Sequence, residues 1–160
     1  MTLIEYIEKL KNNPAFMKNV TSWQVVPERK ARYGEFPSDL DPRVKQTLHE
    51  RGIDRPYIHQ SRAIAAALSG QDFVVVTPTA SGKTLCYNLP VLNAIARDEN
   101  ARALYLFPTK ALAADQNAEI NAFIADMGEE VKAFTYDGDT PVNARNAVRL
   151  AGHIVLTNPD

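Results

Sequence analysis

The stretch Val74-Val75-Val76-Thr77-Pro78-Thr79-Ala80-Ser81-Gly82-Lys83-Thr84 narrows what this chain can fold into more than any other. An apolar β-branched run stops at a loop of small residues, and Gly-Lys-Thr then opens a segment able to form a helix. A strand, a turn with free backbone N–H groups and a helix N-terminus converging on one point make an anion site of the P-loop type. In such a loop the lysine reaches the β and γ phosphates of a nucleotide, and the threonine hydroxyl ligates Mg²⁺. ATP binding is the first expectation. The strict pattern G-x-x-x-x-G-K-[ST] asks for glycine where Thr77 stands, but any small residue lets the turn close.

The rhythm of the chain fits such a loop. Short apolar, β-favouring runs at 73–76, 103–107, 131–136 and 154–156 alternate with helical patterns at 83–97, 109–127 and 141–151. That alternation predicts βαβ units and a parallel α/β sheet with flanking helices, with ligands at the strands' carboxyl ends. Gly128 and Gly152 are read as helix stops and Thr140 as a cap. Ahead of the sheet, Thr2-x-x-Glu5 forms a capping box for a short amphipathic helix that Asn12-Asn13-Pro14 stops. Residues 16–40 have no sustained period; Trp23, Tyr33 and Phe36 need a surface, so an extended arm lying across the domain is expected. Asp41-Pro42 starts another short helix, stopped by Gly52. The expected division is 1–52 for helix, arm and short helix, and 53–160 for the first part of the α/β domain.

Composition adds limits. With 160 residues, 45% of them apolar, the chain suits one soluble domain and its core. A net charge of −1 gives no global basic field, so any contact with nucleic acid has to be local. The single cysteine, Cys86, excludes an internal disulfide and reads as a buried small hydrophobe. No basic start followed by an apolar core marks a signal peptide, and no run is long enough to span a bilayer, so the cytoplasm and no membrane partner are expected.

Each expected strand leads into a loop with phosphate-ready chemistry. Phe107-Pro108-Thr109-Lys110 offers a capped helix start and a cation; Tyr136-Asp137-Gly138-Asp139-Thr140-Pro141 is a tight turn into another helix; Thr157-Asn158-Pro159-Asp160 follows the last strand. Ordinary strand-to-helix turns favour the same residue types. Together, beside a P-loop, they suit a track for a sugar-phosphate backbone. Upstream, Tyr57-Ile58-His59-Gln60 holds a glutamine amide able to pair with adenine and an aromatic ring able to stack on it. A surface glutamine and a packing tyrosine are the plainer reading of those two, and His59 reads as a packing or hydrogen-bonding residue.

Taken in order, Tyr-x-His-Gln, Thr-Pro-Thr-Ala-Ser-Gly-Lys-Thr, Pro-Thr-Lys-Ala-Leu, Tyr-Asp-Gly-Asp-Thr and Thr-Asn-Pro-Asp resemble the first motor domain of a superfamily 2 DExH-box DNA helicase. The wording is closest to the bacterial mitomycin repair factor A and fungal RecQ4-like group, over residues 27–160. The resemblance implies a RecA-like fold, ATP-driven 3′ to 5′ translocation on single-stranded or tailed duplex DNA, and DNA repair. It assigns adenine to Gln60 with Tyr57, phosphates to Thr77, Pro78, Thr79, Ala80, Ser81, Gly82, Lys83 and Thr84, and Mg²⁺ to Thr84. It assigns DNA to Pro108, Thr109, Lys110, Gly138, Thr157 and Asn158, and packs the arm from Trp23 to Phe36 near the nucleotide cleft. The family's Asp-Glu-x-His box and second motor domain are expected after Asp160, with the acidic-box strand inserting into the middle of the sheet, so the chain is expected to need the rest of its own polypeptide. Two rivals stay open: a small P-loop kinase, and a non-catalytic nucleotide-binding module.

Overall fold

In the computed structural model, all residues except 29, 129 and 160 are described; Arg29 of the expected arm and Asp160 of the last loop therefore lie outside the description. The chain forms two compact units, residues 1–31 and 32–160. In the first, helix α1 (Leu3–Lys11) is closed by the capping box: Thr2 N–H donates to Glu5 Oε2 at 2.8 Å and Glu5 N–H to Thr2 Oγ1 at 3.3 Å. Pro14 does more than stop α1. Asn13 Oδ1 accepts from the N–H groups of Ala15 (2.9 Å) and Phe16 (3.3 Å), and Pro14 starts a one-turn helix, α2 (Pro14–Met17), that the sequence pattern did not show. Trp23 has the Lys11 ammonium 5.4 Å from its ring centre.

The second unit holds α3 (Pro42–Glu50), α4 (Ile58–Leu68), α5 (Thr84–Arg97), β1 (Ala103–Leu106), α6 (Lys110–Met127), β2 (Ala133–Thr135), α7 (Val142–Ala151) and β3 (Ile154–Thr157). The strands form a parallel sheet in the order β1-β3-β2, with Ile154 in register with both Ala103 and Ala133. Helices α4 and α5 pack on each other, and α3 rests on α5 and α6. Val44, Leu48, Ile64, Leu89, Leu92, Ile120, Ile154 and Leu156 are fully buried where these elements meet. Polar ties fix α3 to α5: Asn93 Oδ1 accepts from the Asp41 N–H at 2.6 Å, Arg43 donates to the Ala96 carbonyl, and Arg97 to that of Asp39.

Two details differ from the sequence expectation. Residues 73–76 are not paired into the sheet among the described residues, and Val74 and Val76 are 88% and 87% exposed. A β-branched run is only a strand where a neighbour accepts its backbone hydrogen bonds, and among the described residues none of the three strands lies beside this run. Thr140 does not cap α7, whose N-cap is Pro141; its hydroxyl instead accepts from the Asp137 N–H at 2.9 Å and closes the 137–140 turn.

Candidate nucleotide and nucleic-acid site

The loop from Thr77 to Lys83 makes its turn with two residues of positive φ, Ala80 at 57° and Gly82 at 71°. Glycine suits position 82, where the backbone is left-handed and a Cβ would lie 2.6 Å from Gln60 Nε2 and push that amide aside. The Lys83 side chain folds back into its own loop. Its Nζ lies 2.8 Å from Pro78 O, 3.1 Å from Thr77 O, 3.3 Å from Thr77 Oγ1 and 3.4 Å from Ser81 Oγ. Thr77 Oγ1 and Ser81 Oγ are themselves hydrogen-bonded at 2.5 Å. Among the described residues, no acceptor meets the backbone N–H groups of Thr79, Ala80, Gly82, Lys83 and Thr84. A fixed cation beside unpaired amides at the start of α5 fits a polyphosphate.

Helix α4 backs this loop. The first turn of α4 reaches it through two adjacent side chains: His59 Nε2–H donates to Ser81 O at 3.0 Å, and Gln60 Nε2–H donates to Gly82 O at 2.7 Å. Gln60 is 3% exposed, and its Oε1 accepts from the Tyr57 N–H at 2.7 Å. The sequence-predicted adenine reader is thus tied at both ends within the chain, with one N–H and one lone pair to spare. Tyr57 is the middle ring of a ladder, 5.3 Å from Tyr33 and 5.8 Å from His59, with interplanar angles of 18° and 10°. Tyr33 comes from residues 32–36, which lie against the start of α4: Ile58 N–H donates to Arg32 O (2.8 Å), Gly34 N–H to Pro56 O (2.9 Å) and Ser61 Oγ–H to Glu35 O (2.7 Å). A Cβ at Gly34 would come within 2.7 Å of Ser61 Cβ, so this approach needs glycine. The reading of His59 as a packing or hydrogen-bonding residue holds, with Tyr57 and Ser81 as the partners; the stacking of Tyr33 on Tyr57 was not foreseen.

The loops after β1, β3 and β2 lie side by side at one end of the sheet, because the three strands are parallel and adjacent. Pro108 ends β1's extension, and Thr109 Oγ1 caps α6 by accepting from the Leu112 N–H at 3.2 Å. Lys110 Nζ bridges to Asp139 at 2.8 Å, next to Gly138, and holds the exposed Asp139 carboxyl below the usual carboxylate range. Asp137 Oδ1 accepts from the Asp139 N–H at 2.9 Å, so this carboxylate serves its own turn. Thr157 and Asn158 follow β3. Asn158 is buried, and among the described residues its side-chain amide has no hydrogen-bond partner. Cys86 lies in the α5 core, where burial pushes its thiol pKa up. Among the described residues no group of three or more His, Cys, Asp or Glu side chains is placed to hold a metal, and no helix is long and apolar enough to cross a membrane.

A parallel sheet with a lysine-bearing phosphate loop backed by a glutamine-bearing helix defines a RecA-like P-loop domain. The chain belongs to the DEAD/DEAH box helicase family, whose model matches residues 57–160. It is 54% identical over 159 residues to the uncharacterized ATP-dependent helicase YprA of Bacillus subtilis, covering 99% of this chain and 21% of that protein. It is 33% identical over 161 residues to the ATP-dependent helicase HRQ1 of Saccharomyces cerevisiae, covering 99% and 15%. Among solved structures it is similar to the DUF1998 helicase MrfA bound to DNA and AMPPNP, with a TM-score of 0.89 and 53% identity over 99% of this chain and 22% of that one. The chain spans about a fifth of the length of YprA and MrfA.

Proposed function

We propose that this chain is the ATP-binding, DNA-contacting part of the first motor domain of an ATP-dependent DNA helicase that translocates 3′ to 5′ and acts in DNA repair. The observation that supports this best is the phosphate loop itself: the Lys83 ammonium is held at the loop while five backbone N–H groups around it have no acceptor among the described residues. ATP supplies the anhydride whose cleavage drives movement, together with Mg²⁺. Lys83 offsets charge on the β and γ phosphates, the 77–84 backbone surrounds them, and the Thr84 hydroxyl is the protein's ligand for Mg²⁺. Gln60, through its remaining amide positions, and the Tyr33–Tyr57 ladder hold the adenine.

Pro108, Thr109, Lys110, Gly138, Thr157 and Asn158 form the rim that grips a DNA backbone through hydroxyls, amides and a helix start. The relative MrfA has been crystallised with DNA and AMPPNP, which supports both ligands. Activating the attacking water takes a further carboxylate, and the 160 residues contain no Asp-Glu-x-His run. The chain binds and orients nucleotide, and turnover takes such a carboxylate as well. The test is unwinding of a 3′-tailed duplex by a longer polypeptide containing this chain, with and without Lys83→Ala. The proposal expects the substitution to abolish ATP turnover and unwinding together; unchanged unwinding would overturn it.

A further inference from the structure

We propose that His59 is a positioning residue that sets the orientation of the phosphate-loop amides through the Ser81 carbonyl. The inference rests on the ATP-binding reading and concerns a residue that reading leaves without a role. A carbonyl oxygen can only accept, so the 3.0 Å contact fixes the His59 tautomer with the proton on Nε2. The peptide bonds of the chain are trans among the described residues. In a planar trans peptide the N–H of one residue points opposite to the C=O of the residue before it. Drawing the Ser81 carbonyl towards α4 therefore turns the Gly82 N–H away from α4. The neighbouring bond from Gln60 to the Gly82 carbonyl does the same for the Lys83 N–H.

Both of these N–H groups lack an acceptor among the described residues. Two successive side chains of α4 thus hold two successive peptides of the loop in one sense, so that adjacent donors converge on an anion. The loop needs such a hold because its turn places Ala80, which has a Cβ, at a φ of 57°. His59 is itself held by its ring contact with Tyr57 at 5.8 Å, so the ladder that reaches back to Tyr33 also braces the donor. In the free loop this orientation is fixed in advance, which lowers the ordering cost of binding phosphate.

The experiment compares His59→Gln with His59→Met in the chain. The two side chains have similar length, and only Gln carries an N–H donor. Affinities for ATP and for inorganic tripolyphosphate, which has no base, are measured by competition against a fluorescent ATP analogue, with thermal unfolding followed by circular dichroism. His59→Met should weaken ATP and tripolyphosphate by the same factor, about tenfold for one hydrogen bond, while His59→Gln stays within about threefold of the unaltered chain. Loss with ATP alone, equal loss in both variants, or no loss in His59→Met would overturn the role of His59. If the unaltered, folded chain binds neither ligand, the ATP-binding reading fails instead, which the same titration distinguishes. If His59→Met does not fold, His59→Phe, which keeps a ring on Tyr57 without a donor there, takes its place under the same criteria.

Discussion

Gln60 Nε2 donates to the Gly82 carbonyl at 2.7 Å, joining the residue expected to read the base to the loop expected to hold the phosphates. With Oε1 accepting from the Tyr57 N–H, the buried amide is a brace between the start of α4 and the turn before α5. Gln60→Ala takes the acceptor from the Tyr57 N–H and one of two donors from the Gly82 carbonyl, which keeps the Leu85 N–H at 3.3 Å; losing two such part-buried bonds costs about 1–2 kcal/mol. The expected outcome is a lowered unfolding midpoint together with weaker ATP binding, read by chemical denaturation and nucleotide titration. An unchanged midpoint with unchanged affinity would remove the brace from the account.

Asp41 predicts a pH dependence. Arg43 beside it, through a side-chain bond of 2.9 Å, holds the Asp41 carboxyl below its ordinary value of 3.8, and Oδ1 also accepts from the Arg43 N–H at the start of α3. A carboxyl whose pKa is lowered on folding contributes stability that is fully present above its unfolded pKa and is lost as pH falls through the folded one. Stability from this group should thus be level above pH 3.8 or so and decline below it. Asp41→Ala removes cap and ion pair and should cost about 1–2 kcal/mol near neutral pH. Urea unfolding of both chains across the acid range checks this: the gap between them should narrow as pH falls.

Leu104 and Leu106 on β1 are 64% and 67% exposed, and β1 is an edge of the sheet. Such an edge, with exposed Val74 and Val76 elsewhere on the unit, is a template for pairing with another strand. The chain should self-associate in the micromolar to millimolar range, and Leu104→Lys with Leu106→Lys should shift it towards monomer. Sedimentation of both forms is the measurement; a monodisperse unaltered chain at high concentration contradicts the expectation.

Much of this was legible from residue types whose effect is local. Thr2 with Glu5, Asp41 before Pro42, Thr109 before Lys110 and Gly128 after Met127 all mark helix ends where the structure has them. The small-residue loop and Gly-Lys-Thr marked the turn into α5. What escaped depends on partners distant in sequence. Nothing in Val74-Val75-Val76 says whether a neighbouring strand accepts its hydrogen bonds. Likewise, His59 and Ser81, or Tyr33 and Tyr57, meet only once α4 is packed on α5 and residues 32–36 lie against it. The helix starts one residue later than the pattern suggests, at Val142, so Thr140 lies two residues ahead of it and its oxygen serves the preceding turn.

The claim on which the account stands is that the loop from Thr77 to Thr84 receives ATP's phosphates with Lys83 as its cation. Titrating a fluorescent ATP analogue into the chain, and into Lys83→Ala with its fold checked by circular dichroism, measures this directly. Saturable binding that weakens about 10- to 100-fold on losing the charged donor is predicted. Equal affinity in the two folded proteins would contradict it.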